Sequence, residues 1–223
     1  MLDLNIIRSA SMQKNPYSWI KLQNIILIKE RMELAKYYPE EQFFHKTGAE
    51  WTPMTGPCLN EKIGISGQLP LKPVWNNLIV ELRSSTYRYA LEELTKLNLE
   101  NHFLQFNFSR YNSGQRGTIH TDPPFASLVQ IFYFNEEWNR DWGGCLRILK
   151  DENPQSVFRD ILPLLGSSII ILPSENSWHT VTPVIPEVNR TRLTFVLIFF
   201  QQSAEAVLYD IFKQQKLLFY KLD

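Results

Sequence analysis

Between Asn101 and Phe200 the chain is divided by a regular series of breakers into short apolar or aromatic stretches. The stretches are Phe103–Tyr111, Ser127–Asn135, Cys145–Leu149, Val157–Leu162, Ser167–Leu172, Trp178–Val184 and Arg192–Phe200. The breakers are Asn112-Ser113-Gly114, Asp122-Pro123-Pro124, Trp142-Gly143-Gly144, the span from Pro163 to Gly166, Pro173 and Pro186. Runs of this length bounded by Gly, Pro and Asn read as strands. Seven or eight short strands in about 100 residues therefore predict a sandwich or barrel rather than βαβ units.

The first hundred residues differ. Trp75, Leu78, Ile79 and Leu82 follow the i, i+3, i+4, i+7 rule within a predicted helix from Val74 to Leu97. A second helix is predicted over Ile28 to Tyr37, stopping before Pro39. The span from Thr47 to Pro73 is rich in Gly and Pro and reads as loop. With 223 residues and no repeat or low-complexity linker, one domain is expected over 1–223. It comprises a helical support region (1–100), a β core (101–202) and a closing helix or tail (203–223).

Composition narrows the function. Twenty-three basic and 23 acidic side chains cancel, which argues against a broad phosphate-binding surface and so against a nucleic-acid partner. The longest apolar run, Leu193 to Phe200, is far short of a membrane span, so no membrane partner is expected. The N-terminus lacks a basic segment followed by an apolar run, and a cytoplasmic protein is the expectation. Two cysteines, Cys58 and Cys145, make neither a disulfide framework nor a cysteine zinc site. With four histidines, a metal site here must recruit carboxylates.

The chemistry-bearing stretch is Gly117-Thr118-Ile119-His120-Thr121-Asp122. Residues two apart on a strand share a face, so His120 and Asp122 aim an imidazole and a carboxylate at one point. His179, in Ser177-Trp178-His179-Thr180-Val181, begins another predicted strand. Two histidines and one carboxylate with open positions suit non-haem iron(II). Arg190 and Arg192 follow, and with Thr194 they share parity on a regular strand. A buried arginine requires an anion, and its fork matches a carboxylate.

Together these residues resemble the iron(II)- and 2-oxoglutarate-dependent oxygenase superfamily, and within it the prolyl-hydroxylase-like branch. The resemblance covers about 103–200. It includes Tyr133-Phe134-Asn135-Glu136-Glu137-Trp138, Trp142-Gly143-Gly144-Cys145-Leu146-Arg147, Pro173-Ser174, Trp178-His179 and Arg190 to Thr194. It implies a double-stranded β-helix, a jelly-roll packed on N-terminal helices. It implies His120, Asp122 and His179 as iron ligands, with 2-oxoglutarate and dioxygen as cosubstrates and ascorbate as a supporting reductant. Arg190 matches the arginine that pairs with the far carboxylate of 2-oxoglutarate, with Arg192 as the alternative. Tyr111, Tyr133 and Thr194 match residues around the same cosubstrate. The implied activity is hydroxylation of an unactivated C–H bond in a small molecule, amino acid or peptidyl residue, releasing succinate and carbon dioxide. Asp122 argues against the halogenases of the superfamily, which replace that carboxylate. Val196, six residues after Arg190, argues against the nucleobase demethylases, which carry a second arginine there.

Two other readings use the same residues: a non-catalytic jelly-roll binding module, and a zinc hydrolase built on His120, Asp122 and His179. The first leaves three ligands and an arginine in register without purpose. The second leaves Arg190 and the tyrosines without one. Arg116 and Trp51 are candidates for reaching a substrate, though a solvated loop is the commoner place for an arginine such as Arg116. His45 and His102 lack ligand spacing and read as structural or surface residues. Leu128, Ile131, Ile169, Ile171 and Phe195 are candidate apolar lining of the pocket.

Overall fold

The computed structural model describes residues 1–47, 60–64, 70–204 and 219–221. Its main feature is an eight-stranded antiparallel sheet. In chain order its strands are β1 (Trp19–Gln23), β2 (His45–Thr47), β3 (Asn60–Gly64), β4 (Phe103–Tyr111), β5 (Ala126–Tyr133), β8 (Ser167–Ile171), β10 (Arg192–Phe200) and β11 (Phe219–Lys221). In space they run β1-β8-β5-β10-β4-β3-β2, with β11 pairing the start of β4 beside β3. A three-stranded sheet, β7 (Val157–Ile161), β6 (Leu146–Leu149) and β9 (His179–Val181), is extended by a bridge between His179 and His120. The architecture is the expected double-stranded β-helix.

Alternation along the strands builds two cores. Leu104, Phe106 and Phe108 of β4, Leu128 and Phe132 of β5, and Phe195, Leu197 and Phe199 of β10 face the helices. The opposite parity, Val129, Ile131 and Tyr133 of β5 with Ile169 and Ile171 of β8, faces Leu146, Ile148 and Val181 of the smaller sheet. The candidate apolar lining therefore divides. Ile131, Ile169 and Ile171 face the space between the sheets, whereas Leu128 and Phe195 pack against the helices, because a strand sends successive side chains to opposite faces.

Helices α1 (Leu4–Arg8), α2 (Ile28–Lys36), α3 (Pro73–Leu82) and α4 (Ser85–Thr95) back the large sheet. Proline at the start of α3 loses no helical hydrogen bond. The fully buried Trp75 of α3 lies 4.6 Å from the ring of Phe108 and 5.2 Å from that of Phe195. The predicted single helix from Val74 to Leu97 is in fact two. Ser84 donates its hydroxyl to the Glu81 carbonyl at 2.6 Å and accepts the Tyr87 N–H at 3.2 Å, closing α3 and capping α4 in one residue.

One further expectation is corrected. The predicted loop from Thr47 to Pro73 contains β3, whose residues pair with Asn107 to Arg110 of β4. Of the expected closing helix or tail over 203–223, residues 205–218 lie outside the described residues, and 219–221 form β11, whose partners on β4 are Phe103 to Gln105. No helix among the described residues is long and apolar enough to cross a membrane.

Candidate metal centre

His120 and His179 face each other across the bridge that extends the smaller sheet, with backbone bonds of 3.0 Å in both directions. Gly117 permits this approach: a Cβ there would stand 2.8 Å from the backbone nitrogen of Val181. On the far side of the same sheet, Gly143 has φ +67 and any side chain would strike the Pro183 carbonyl, which fixes the Gly-Gly turn before β6.

The ligand atoms of His120, Asp122 and His179 lie within 4.8 Å of one another, and among the described residues this is the one such cluster of three. Each imidazole is oriented from behind. His120 Nδ1 lies 2.9 Å from the Thr118 carbonyl and His179 Nδ1 lies 2.8 Å from the Ser177 carbonyl. A carbonyl only accepts, so both Nδ1 atoms carry hydrogen and both Nε2 lone pairs are available to a metal. His179 Nε2 stands 3.8 Å from Asp122 Oδ2, and that buried oxygen has no hydrogen-bond partner. Two tautomer-fixed imidazoles converging on an unpartnered carboxylate oxygen fit a divalent metal, and the donor set is that of non-haem iron(II).

The cosubstrate candidates gather on the inner face of the large sheet. Arg192 opens β10 and is 2% exposed. Its guanidinium lies 5.1 Å from the Tyr111 ring centre and 5.4 Å from that of Tyr133. Among the described residues Arg192 Nε and Tyr133 Oη lack a well-formed hydrogen bond, and the two side chains face each other. Burial pushes the Tyr133 phenol up to about 12, with the charge of the adjacent Arg192 and its hydrogen-bonding approach opposing the shift. Thr194, buried, pairs with Ser109 on one side and Tyr133 on the other. Aromatic contacts alone do not offset the cost of burying a guanidinium, so this constellation fits a carboxylate ligand.

Arg190 is elsewhere. It is exposed, stacks on Trp142 at 5.0 Å and approaches Glu137 at 3.6 Å. The expectation that it shares the interior with Arg192 fails because the strand does not reach it. Asn189 is left-handed, with φ 45, and β10 begins only at Arg192. Asn135 sets that start. Its amide donates to the Thr191 carbonyl at 2.7 Å and its Oδ1 accepts the Leu193 N–H at 2.9 Å, bracketing Arg192. Arg116 lies exposed in the loop before His120, and Trp51 lies outside the described residues. His102, as expected, is structural, held by the Glu100 carbonyl and the Ser127 hydroxyl.

One residue near the metal centre escaped the sequence analysis. Tyr17 is buried, and its hydroxyl donates to the Trp178 carbonyl at 3.2 Å. Burial, and next the charge of Asp122, push its phenol upward. Nothing in the sequence around Tyr17 announces this, since its partners lie more than a hundred residues away.

Comparison with known proteins agrees with this geometry. Residues 106–199 match the family model of the 2OG-Fe(II) oxygenase superfamily. No curated protein sequence matches the chain. Among solved structures, a prolyl-4-hydroxylase of Pseudomonas putida superposes with a TM-score of 0.64 at 18% identity, covering 89% of this chain and 98% of that one. A prolyl hydroxylase of Trichoplax adhaerens, solved with a hypoxia inducible factor peptide, gives 0.61 at 16% identity, covering 92% and 91%. SnoN, an epimerase of nogalamycin biosynthesis, gives 0.56 at 9% identity, covering 89% and 80%. At these identities the likeness concerns the fold. Fold and metal centre define a double-stranded β-helix oxygenase dependent on iron(II), 2-oxoglutarate and dioxygen. The core of the chain, residues 106–199, is thus similar to the 2OG-Fe(II) oxygenase superfamily.

Proposed function

We propose that the protein hydroxylates an unactivated C–H bond of a small molecule, amino acid or peptidyl residue, with His120, Asp122 and His179 holding iron(II) and Arg192 holding 2-oxoglutarate. The observation that carries this reading is the buried Arg192, flanked by Tyr111 and Tyr133 and left with an unpartnered Nε. It replaces Arg190 as the clamp. Its fork receives the far carboxylate of the cosubstrate. The Tyr133 phenol stays protonated at neutral pH and donates to the same ligand, while Tyr111 and Thr194 border it. Bound iron(II) with 2-oxoglutarate and dioxygen supplies the oxidising chemistry, yielding succinate, carbon dioxide and a hydroxylated product. The protein's part is to aim both imidazole Nε2 atoms and the Asp122 carboxylate, and to keep water out with Ile131, Ile169 and Ile171.

A peptide occupies the Trichoplax adhaerens relative, so a peptidyl substrate stands beside free amino acids and metabolites in this proposal. We place the enzyme in the cytoplasm, where a reducing milieu with ascorbate keeps iron ferrous. A zinc hydrolase on the same triad would leave the buried Arg192 charge without an anion. Incubation with iron(II), ascorbate and 2-oxoglutarate, with succinate measured across panels of amino acids, peptides and metabolites, tests the proposal. Succinate release that requires iron(II) and is inhibited by zinc is expected. Protein that neither binds 2-oxoglutarate nor releases succinate under any condition would sink it.

A further inference from the structure

We propose that Tyr17, carried by the N-terminal hairpin of residues 13–19, is a positioning residue of the metal centre. This inference rests on the metal-centre reading above. The hairpin is anchored independently of the site. Gln13 and Trp19 exchange backbone bonds of 2.8 and 3.1 Å, Trp19 Nε1 donates to the Asn15 carbonyl at 3.0 Å, and the Leu172 N–H donates to the Ser18 carbonyl at 3.0 Å. These contacts place the Tyr17 ring in the buried cluster between the sheets.

At its tip the Tyr17 hydroxyl donates to the carbonyl of Trp178. That carbonyl belongs to the peptide unit leading into His179, and a peptide unit moves as one plane. Three bonds hold this plane. The Tyr17 hydroxyl and the Leu149 N–H at 3.0 Å fill both lone pairs of the carbonyl, and the His179 N–H donates to the His120 carbonyl at 3.0 Å. The ring itself is turned by the bond from Nδ1 to the Ser177 carbonyl. Ser177 is fixed in turn by its hydroxyl, which donates to the Ser174 carbonyl at 2.8 Å and accepts the Ser174 N–H at 2.9 Å. Of these bonds among the described residues, that from Tyr17 comes from outside the β-helix. One side chain from the N-terminal segment thus holds the peptide unit that leads into a ligand.

Such outer contacts act on a metal through its ligands, and their loss costs metal affinity. The test is titration of the metal-free full-length protein with cobalt(II), followed by calorimetry and by the ligand-field absorption of the bound ion. Tyr17→Phe removes the hydroxyl and keeps the ring. Tyr87→Phe, on the opposite face of the large sheet, removes a fully buried hydroxyl that donates to Gln130. Tyr17→Phe is expected to weaken cobalt(II) binding about 3- to 10-fold, below the usual loss of about 10- to 100-fold for an outer contact because Leu149 keeps its bond, and to shift the absorption bands. Tyr87→Phe is expected to lower the melting midpoint while leaving cobalt(II) affinity within about twofold, inside the usual scatter of a distant site. Equal cobalt(II) affinities and spectra for wild type and Tyr17→Phe would overturn the inference alone. A Tyr17→Phe protein that melts early is judged against Tyr87→Phe, and matching metal affinities in the two overturn it as well. Failure of the wild type to bind cobalt(II) would remove the metal-centre reading and this inference with it.

Discussion

The two faces of the large sheet bury polar groups differently. On the helix-backed face the buried polar side chains are held within the chain: Arg110, whose Nε makes no bond of its own, donates through Nη2 to Glu41 and Asn112, and Arg88 is the second arginine there whose Nε makes none. The Tyr87 hydroxyl donates to Gln130, Gln130 Nε2 donates to the Ser168 hydroxyl at 2.9 Å, and Trp75 Nε1 donates to the Tyr37 carbonyl at 2.8 Å. Between the sheets, Asp122 Oδ2, Tyr133 Oη and Arg192 Nε are buried without hydrogen-bond partners. An unpartnered buried group costs stability, so a cluster of them between the sheets fits completion by a ligand. The difference separates the face that holds the fold from the face that does the chemistry, and substitutions on the two should register in different measurements.

The largest expected effect is loss of a ligand. Asp122→Ala should cut succinate formation more than about 100-fold, beyond what loss of an outer contact costs. Its melting midpoint should stay close to wild type or rise, because the removed carboxylate oxygen has no hydrogen-bond partner. On the other face, Trp75→Ala should cost about 3–5 kcal/mol of stability by denaturant unfolding, the usual penalty for deleting a buried indole. Protein still folded should bind 2-oxoglutarate normally. If Trp75→Ala spared stability and abolished cosubstrate binding, the division between the faces would be wrong.

The arginines sharpen the contrast at closer range. Arg192→Ala should weaken 2-oxoglutarate binding about 10- to 100-fold by calorimetry, the loss expected for hydrogen bonds to a charged group. Arg190→Ala, removing an exposed side chain stacked on Trp142, should change it by less than about twofold. The reverse ranking would return the clamp to Arg190. Sequence alone did not separate the two. Equal parity holds only while a strand is regular, and the left-handed Asn189 and the bracket from Asn135 begin the strand at Arg192. The strands around the metal were legible because Gly, Pro and Asn punctuate them and because parity within each stretch is physical. His120, Asp122 and His179 were legible as candidates from residue type and spacing rather than from strand parity, since His120 sits in an isolated bridge and Asp122 in no strand. Residues 60–64 were not, since Asn60-Glu61-Lys62 shows no apolar alternation and the strand exists through its pairing with β4. The stop at Ser84 was hidden because apolar spacing continues through it, and only the hydroxyl's two bonds reveal it. Tyr17 was out of reach for a third reason: its role depends on a contact 161 residues away.

The smallest effect gives the most discriminating test, because it predicts two signs at once. Tyr133→Phe removes a hydroxyl that is buried and unpartnered in the free protein, and leaves the ring beside Arg192. Deleting such a group relieves its desolvation cost, so the free protein should gain up to about 1 kcal/mol in denaturant unfolding. The same change deletes a donor to 2-oxoglutarate, so cosubstrate binding should weaken about fivefold, the worth of one ordinary hydrogen bond. A protein made more stable and less competent by one oxygen atom is the expected signature of a site preorganised for a ligand. Loss of stability with unchanged 2-oxoglutarate affinity would instead place Tyr133 with the partnered groups of the helix-backed face, and Arg192 would have to hold the cosubstrate without it.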